Sequence, residues 1–211
     1  MEQAREQYYL VDGSIAVSYG ESNALVSYLN NTSVVRTDIK SKGRLISVIQ
    51  SAIVIENFVS EQNYPVEVDT QGIYVSDAEV WISKSKFFGQ ESAYYFTTIR
   101  LPGLGNIFGS FISVYGLSNL NINSTTFSNG RATQGGCISI FGDSNATISN
   151  CDFNLCAAMI GGAIYADGFS NLKISSSTFQ NNIGYRGNGQ NIYAIGGTGT
   201  FQLDSCKLIS H

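Results

Sequence analysis

Six segments of the chain carry an Ile or Leu followed five residues later by a Phe or Leu anchor: Ile53/Phe58, Ile82/Phe87, Ile122/Phe127, Ile148/Phe153, Ile174/Phe179 and Leu203/Leu208. Successive segments lie 29, 40, 26, 26 and 29 residues apart, a period broken by one insertion. Apolar pairs two residues apart stand upstream in the same register: Ile73/Val75, Ile112/Val114, Ile138/Ile140, Ile164/Ala166 and Ile192/Ala194. A further set leads into the anchors: Val80/Ile82, Leu120/Ile122, Ala146/Ile148, Leu172/Ile174 and Phe201/Leu203. Spacing of two places both side chains of a pair on one face of a strand. Each repeat is therefore predicted to hold two alternating strands and a shorter third one around the anchor, with "GLSN", "GDSN" and "DGFSN" as the turns between them.

Repetition at this period, without helical periodicity or hairpin symmetry, has one economical solution. The chain winds as a coil, and equivalent strands stack in parallel about 4.8 Å apart with their inward residues in apolar columns. The predicted fold class is all-β, a right-handed parallel β-helix (β-solenoid) of about 26–29 residues per coil with one long loop insertion. A leucine-rich horseshoe needs Leu at fixed asparagine-flanked positions, which are absent, and a β-sandwich would not hold the register constant. Residues 45–211 are assigned to the β-helix, with the insertion near 88–110; residues 1–44 form an N-terminal segment in which "ALVSYL" reads as a degraded earlier coil. Ser124, Asn150, Ser176 and Ser205, each three residues before an anchor, are expected to form a hydrogen-bonded ladder at a bend between strands.

Composition narrows the function classes. Charged residues make up 13 % of the 211 residues, about half the usual share, and the net charge is -4. No basic stripe exists to neutralise a nucleic-acid backbone, and no apolar run approaches the roughly 18 residues of a membrane span. The start of the chain has no secretory signal pattern and its end falls inside a repeat, so the sequence reads as an excerpt from a longer chain. Cys137, Cys151, Cys156 and Cys206 have no metal-type spacing with the single histidine, and no cofactor is expected.

The motifs "GGCISI" (Gly135 to Ile140), "GGAIYADG" (Gly161 to Gly168) and "FQNN" (Phe179 to Asn182) resemble the GGA-plus-aliphatic and FxxN repeats of chlamydial polymorphic outer membrane proteins. Similar repeats occur in large surface proteins of ciliates and other protists. More broadly, the chain resembles the right-handed parallel β-helix of pectate-lyase-like proteins. The resemblance implies an extracellular or cell-surface location. The chain departs from the type in that Phe127 and Phe153 are followed by "SNG" and "NLC", so FxxN is complete only once.

Candidate chemistry is sparse. Asp77 and Asp143 both stand ten positions before an anchor, which puts them two coils and roughly 9.6 Å apart, close to the carboxylate separation of an inverting glycosidase. Nothing near them predicts a raised pKa. Arg131 and Arg186 read as solvated loop arginines. Between the inward pairs lie Tyr74, Ser113, Ser139, Tyr165 and Tyr193, all expected to face outward; Tyr165 and Tyr193, on adjacent coils, form a small aromatic ladder able to stack on sugar rings or simply to stabilise the sheet surface. Ser139→Asp is accordingly expected to be tolerated. The aromatics of the insertion, Tyr94, Tyr95, Phe96 and Phe108, are interaction-loop candidates. Sequons occur at Asn30, Asn31, Asn123 and Asn145, where chance alone gives about three. Cys151 and Cys206 share a position two coils apart, beyond the reach of a disulfide; Cys156 could meet Cys151 only across a tight bend. The expected function is a non-catalytic structural or adhesive β-helix module of a larger cell-surface or secreted protein. Its open ends would meet other chains or further coils of the same chain. The alternatives are a carbohydrate-binding module using Tyr165 and Tyr193, and a polysaccharide lyase or hydrolase with an unrecognised site.

Overall fold

The structure, a computed structural model, describes residues 9–11, 14–18, 26–36, 44–62, 72–89, 109–185 and 189–209. Their strands form four sheets. The first contains β1 (Tyr9–Val11), β2 (Ser14–Ser18), β5 (Ile46–Ile49), β8 (Ile73–Ser76), β11 (Ile112–Tyr115), β15 (Ile138–Phe141), β19 (Ile164–Asp167) and β23 (Ile192–Ile195). The second contains β3 (Val26–Asn30), β6 (Ala52–Glu56), β9 (Glu79–Ser83), β12 (Asn119–Asn123), β16 (Asn145–Ser149), β20 (Asn171–Ser175) and β24 (Thr200–Asp204). The third contains β4 (Ser33–Arg36), β7 (Val59–Gln62), β10 (Lys86–Phe88), β13 (Thr126–Ser128), β17 (Asp152–Asn154), β21 (Thr178–Gln180) and β25 (Lys207–Ile209). A fourth joins β14 (Arg131–Gln134), β18 (Ala157–Ile160) and β22 (Ile183–Gly184). All pairings are parallel except β1 on β2, and the described residues contain no helix. This is a parallel β-solenoid.

The apolar columns follow the predicted register. Ile73, Ile112, Ile138, Ile164 and Ile192 pair in succession, as do Ile82, Ile122, Ile148, Ile174 and Leu203. Phe87 pairs with Phe127 across the 40-residue interval without loss of register. One segment departs from the expectation. Ile55, not Ile53, pairs with Ile82, and Ser60, not Phe58, lies opposite Phe87. A slip of two keeps every inward residue inward; Phe58 is still buried, tilted against Phe87 with ring centroids 5.7 Å apart. Above it the anchors stack face to face: Phe87–Phe127 at 5.1 Å, Phe127–Phe153 at 4.9 Å and Phe153–Phe179 at 4.7 Å.

Corners come from left-handed backbone at fixed positions. Lys84, Ser124, Asn150, Ser176 and Ser205 all have φ near +50°, so the expected polar column does mark a bend. It makes that bend with its backbone, and the side-chain ladder stands one residue further on. There Ser85, Thr125, Cys151 and Ser177 are buried, each donating to the carbonyl two residues back. Ser85 and Ser177 also accept the backbone N–H of the coil before, from Phe58 and Cys151. The "GG" pairs solve two problems at once. Gly135 and Gly161 take φ of +63°, while a Cβ on Gly136 or Gly162 would lie 2.1 or 2.0 Å from a carbonyl oxygen of the next coil.

The sequence signal missed the fourth sheet, because "RATQ", "AAMI" and "IG" carry no alternating apolar pattern. Arg131 therefore begins a strand and is half-buried, its guanidinium pKa lowered by desolvation, where a solvated loop residue was expected. Arg186 lies outside the described residues.

The fourth sheet also explains the missing FxxN asparagines. Asn182 is buried, accepts the N–H of Cys156 and donates to the carbonyl of Phe153. One coil earlier the equivalent position is Cys156, which is bonded to Cys137 with Cα atoms 5.9 Å apart. Two coils earlier it is Gly130, where a Cβ would sit 2.5 Å from the Cys137 sulfur. The departures "NLC" and "SNG" are thus one cross-link and the gap that admits it. The bond joins positions that sequence spacing alone did not bring together, since Cys156 had been matched only with Cys151. Cys151 and Cys206 are free thiols with Ser177 between them in the column. Closing a loop of 19 residues is worth about 3 kcal/mol. Chemical denaturation of a Cys137→Ala/Cys156→Ala double variant should register a loss of that order; an unchanged midpoint and slope would mean the bond adds nothing.

Candidate functional site

The outward side of the first sheet carries more rings than the sequence indicated. Tyr74, Tyr115, Phe141, Tyr165 and Tyr193 run continuously, with successive centroids 5.2, 5.0, 5.5 and 5.7 Å apart. Tyr115 and Phe141 belong to the column two residues along from Ser113 and Ser139, and they bridge Tyr74 to Tyr165 across the two strands that carry those serines. Period-two spacing along a single column does not reveal them. The guanidinium carbon of Arg44 lies 3.2 Å from the Tyr74 ring centroid and closes that end. Tyr165 is 6 % exposed, and burial, with Asp167 beside it, pushes its pKa up to about 12. Its hydroxyl donates to Asp167 Oδ2. Tyr115 stacks on Phe141 and Tyr165 on Tyr193, while the Tyr74–Tyr115 and Phe141–Tyr165 contacts are tilted. Ser113 and Ser139 stand at the outward positions but are fully buried, Ser113 Oγ donating to the Gly109 carbonyl and Ser139 Oγ to the Gln134 carbonyl. Ser139→Asp would consequently be poorly tolerated, contrary to the expectation from alternation alone.

The second sheet presents a different outward face, polar apart from Trp81. Its edge row is an amide ladder in which Asn145 Nδ2 donates to Asn119 Oδ1 at 3.1 Å and Asn171 Nδ2 to Asn145 Oδ1 at 2.9 Å. Thr200 extends it by donating through Oγ1 to Asn171 Oδ1. The opposite row holds Asn123, Ser149 and Ser175, with Ser149 and Asn150 both donating to Asn123 Oδ1. Between them run Trp81, Asn121, Thr147 and Lys173. Further back, exposed Lys84 pairs with Glu56 at 2.8 Å; Lys84, with the Tyr28 hydroxyl, holds the Glu56 carboxyl below its usual pKa. The sequons are placed by the same geometry. Asn30, Asn31, Asn123 and Asn145 are exposed, Asn31 at a left-handed corner and Asn30 accepting from Asn57 Nδ2.

The carboxylate pair comes apart. Register brings Asp77 level with Gly116 and Gly142, and Asp143 level with Leu117, so the two aspartates stand in different columns. Asp77 Oδ1 accepts the Leu117 N–H at 3.0 Å and Oδ2 the Ser76 hydroxyl, a corner-capping role. Counting from the anchors had hidden this, because the 14- and 15-residue offsets differ by one. The Cys151 thiol is buried and pushed up to about 11, chiefly by desolvation, which leaves it a poor nucleophile at neutral pH. Among the described residues no group of three His, Cys, Asp or Glu is placed to hold a metal ion, and no helix is long and apolar enough to cross a membrane. The insertion aromatics Tyr94, Tyr95, Phe96 and Phe108 lie outside the described residues.

Among the described residues, exposed apolar side chains gather on the last described coil. Phe201, Leu203 and Leu208 continue inward columns there and are 47, 41 and 56 % exposed. In comparisons with known protein families, curated proteins and solved structures, the chain matches none.

Proposed function

We propose that this chain is a non-catalytic structural or adhesive β-solenoid module of a cell-surface or secreted protein, joined to a neighbour through its last coil. The observation that carries the reading is the in-register stack itself: inward columns run through successive coils, and the rings of Phe87, Phe127, Phe153 and Phe179 stack along the axis as a rigid scaffold. The last described coil exposes Phe201, Leu203 and Leu208, and a stack of this kind is continued by a further coil, a cap or a partner. The Cys137–Cys156 cross-link supports an oxidising compartment, since such bonds rarely persist in the cytosol. The stacked rings of the first sheet favour a scaffold over a glycan platform at Tyr165 and Tyr193, because ring faces turned to each other are closed to sugars.

The test is sedimentation with an apolar dye alongside. The protein is expected to bind the dye and to associate with rising concentration, and the double variant Leu203→Lys/Leu208→Glu should lose both behaviours while keeping its unfolding midpoint. A monomer that binds no dye, or a variant that associates as the parent does, would remove the last coil from the argument.

A further inference from the structure

We infer that the outward face of the second sheet binds a neutral polysaccharide chain, with Trp81 as the stacking platform. The inference deepens the adhesive reading by naming a ligand class, and it rests on that reading only in placing the module outside the cell.

Three in-register rows give the face its chemistry. Equivalent residues on successive strands repeat about every 4.8 Å. Asn119, Asn145 and Asn171 fix one another's amides through the ladder; each amide has two N–H groups and two acceptor lone pairs, so Asn119 and Asn145 keep a spare donor and acceptor each, while Asn171 keeps a spare N–H and fills its oxygen with Thr200. Groups already held in place lose little freedom when a ligand arrives. Asn123 is fixed likewise by Ser149 and Asn150. Hydroxyl-rich ligands need this density of paired donors and acceptors.

Charge then narrows the class. From β9 to β20 the three outward rows carry one acidic residue, Glu79, at one end and one basic residue, Lys173, at the other. No cationic cluster is present on those rows to balance a polyuronate, a sulfated glycan or a phosphate chain. A neutral polymer of hydroxyls matches the face, and its length can lie along the axis over successive strands. Trp81 supplies the apolar contact. It is half-buried in the centre row between Val54 and Asn121, and no ring among the described residues stacks on it. In this respect it differs from every ring of the first-sheet ladder.

The chain holds one tryptophan, so its fluorescence reports the site directly. Titration of the whole protein with cellohexaose and with chitohexaose is expected to shift the emission saturably for at least one of them, with polygalacturonate inert at the same concentration. The double variant Asn121→Ala/Thr147→Ala, whose substitutions both lie on the outward side, should keep the unfolding midpoint and weaken binding roughly tenfold or more, as the loss of two hydrogen bonds of about 1 kcal/mol implies. Trp81→Ala, followed by calorimetry, should lose binding. The inference is overturned by a flat titration with both neutral sugars and no retention on an array of neutral glycans, by preferential binding of polygalacturonate, or by undiminished affinity in the double variant. None of these results bears on the joint at Leu203 and Leu208, so failure here and failure of the structural reading remain distinct.

Discussion

Ile148→Asp is expected to abolish the cooperative fold, with little soluble protein and no sharp thermal transition. Ile148 is fully buried in β16, paired with Ile122 on one side and Ile174 on the other. A carboxylate placed there has no partner within the apolar column, and whether it stays charged or takes up a proton, the site loses several kcal/mol. A solenoid also lacks a separate core to fall back on, since each coil is held only by its neighbours. The expected cost exceeds about 4 kcal/mol, a large part of the stability of an ordinary domain. Thr147→Asp is the matched control. It lies one residue away on the same strand, is exposed, and should shift the midpoint by no more than about 0.5 kcal/mol. Ser139 would mislead as a control, because it stands at an outward position yet is fully buried, its hydroxyl donating to the Gln134 carbonyl. A folded Ile148→Asp protein with an unchanged midpoint would mean that the inward face of the second sheet has been assigned backwards.

The contrast between Ser139 and Thr147 marks the limit of what alternation can reveal. Period-two spacing tells inside from outside, and the columns at Ile73, Ile82 and Phe87 were legible for that reason. It does not tell whether an outward residue is covered. Ser113 and Ser139 are buried where their hydroxyls meet the Gly109 and Gln134 carbonyls, a cover that spacing along the chain does not display. The slip at Ile53 has the same origin: a shift of two preserves every facing direction, so the hydrophobic pattern could not distinguish Ile53 from Ile55 as the partner of Ile82. Register there is decided by which residue can take the left-handed corner, and Asn57, three before Ser60, does so with φ of +51°. The disulfide was hidden because Cys137 and Cys156 stand at corners before β15 and β18, and the second of these strands lies in a sheet that leaves no alternating trace. The departure of "NLC" from the FxxN pattern was visible, and read physically it asks what replaces the buried amide of Asn182. The outward grid of the second sheet was also present as Asn119, Asn145 and Asn171 in fixed register, but its meaning depends on the hydrogen bonds between them, which spacing does not display.

Phe153→Ala should be the most damaging truncation that still folds, at about 3–5 kcal/mol. Its ring is fully buried between Phe127 at 4.9 Å and Phe179 at 4.7 Å, both nearly parallel to it, so the substitution opens a cavity and removes two stacking contacts of about 0.5–1.5 kcal/mol each. Because coils couple only to their neighbours, the loss should concentrate locally, with amide exchange accelerating most in β13, β17 and β21. The informative comparison is Leu208→Ala. Leu208 pairs with Phe179 and occupies the same column, but it is 56 % exposed in the last described coil. If coverage from both sides is what makes this column stabilising, Leu208→Ala should cost under about 1 kcal/mol in the isolated protein. It should cost markedly more once the last coil is joined to its partner. A loss at Leu208 as large as that at Phe153, measured in the isolated protein by denaturant midpoint, would mean that the last coil is already covered. The joint proposed there would then be without its physical motive.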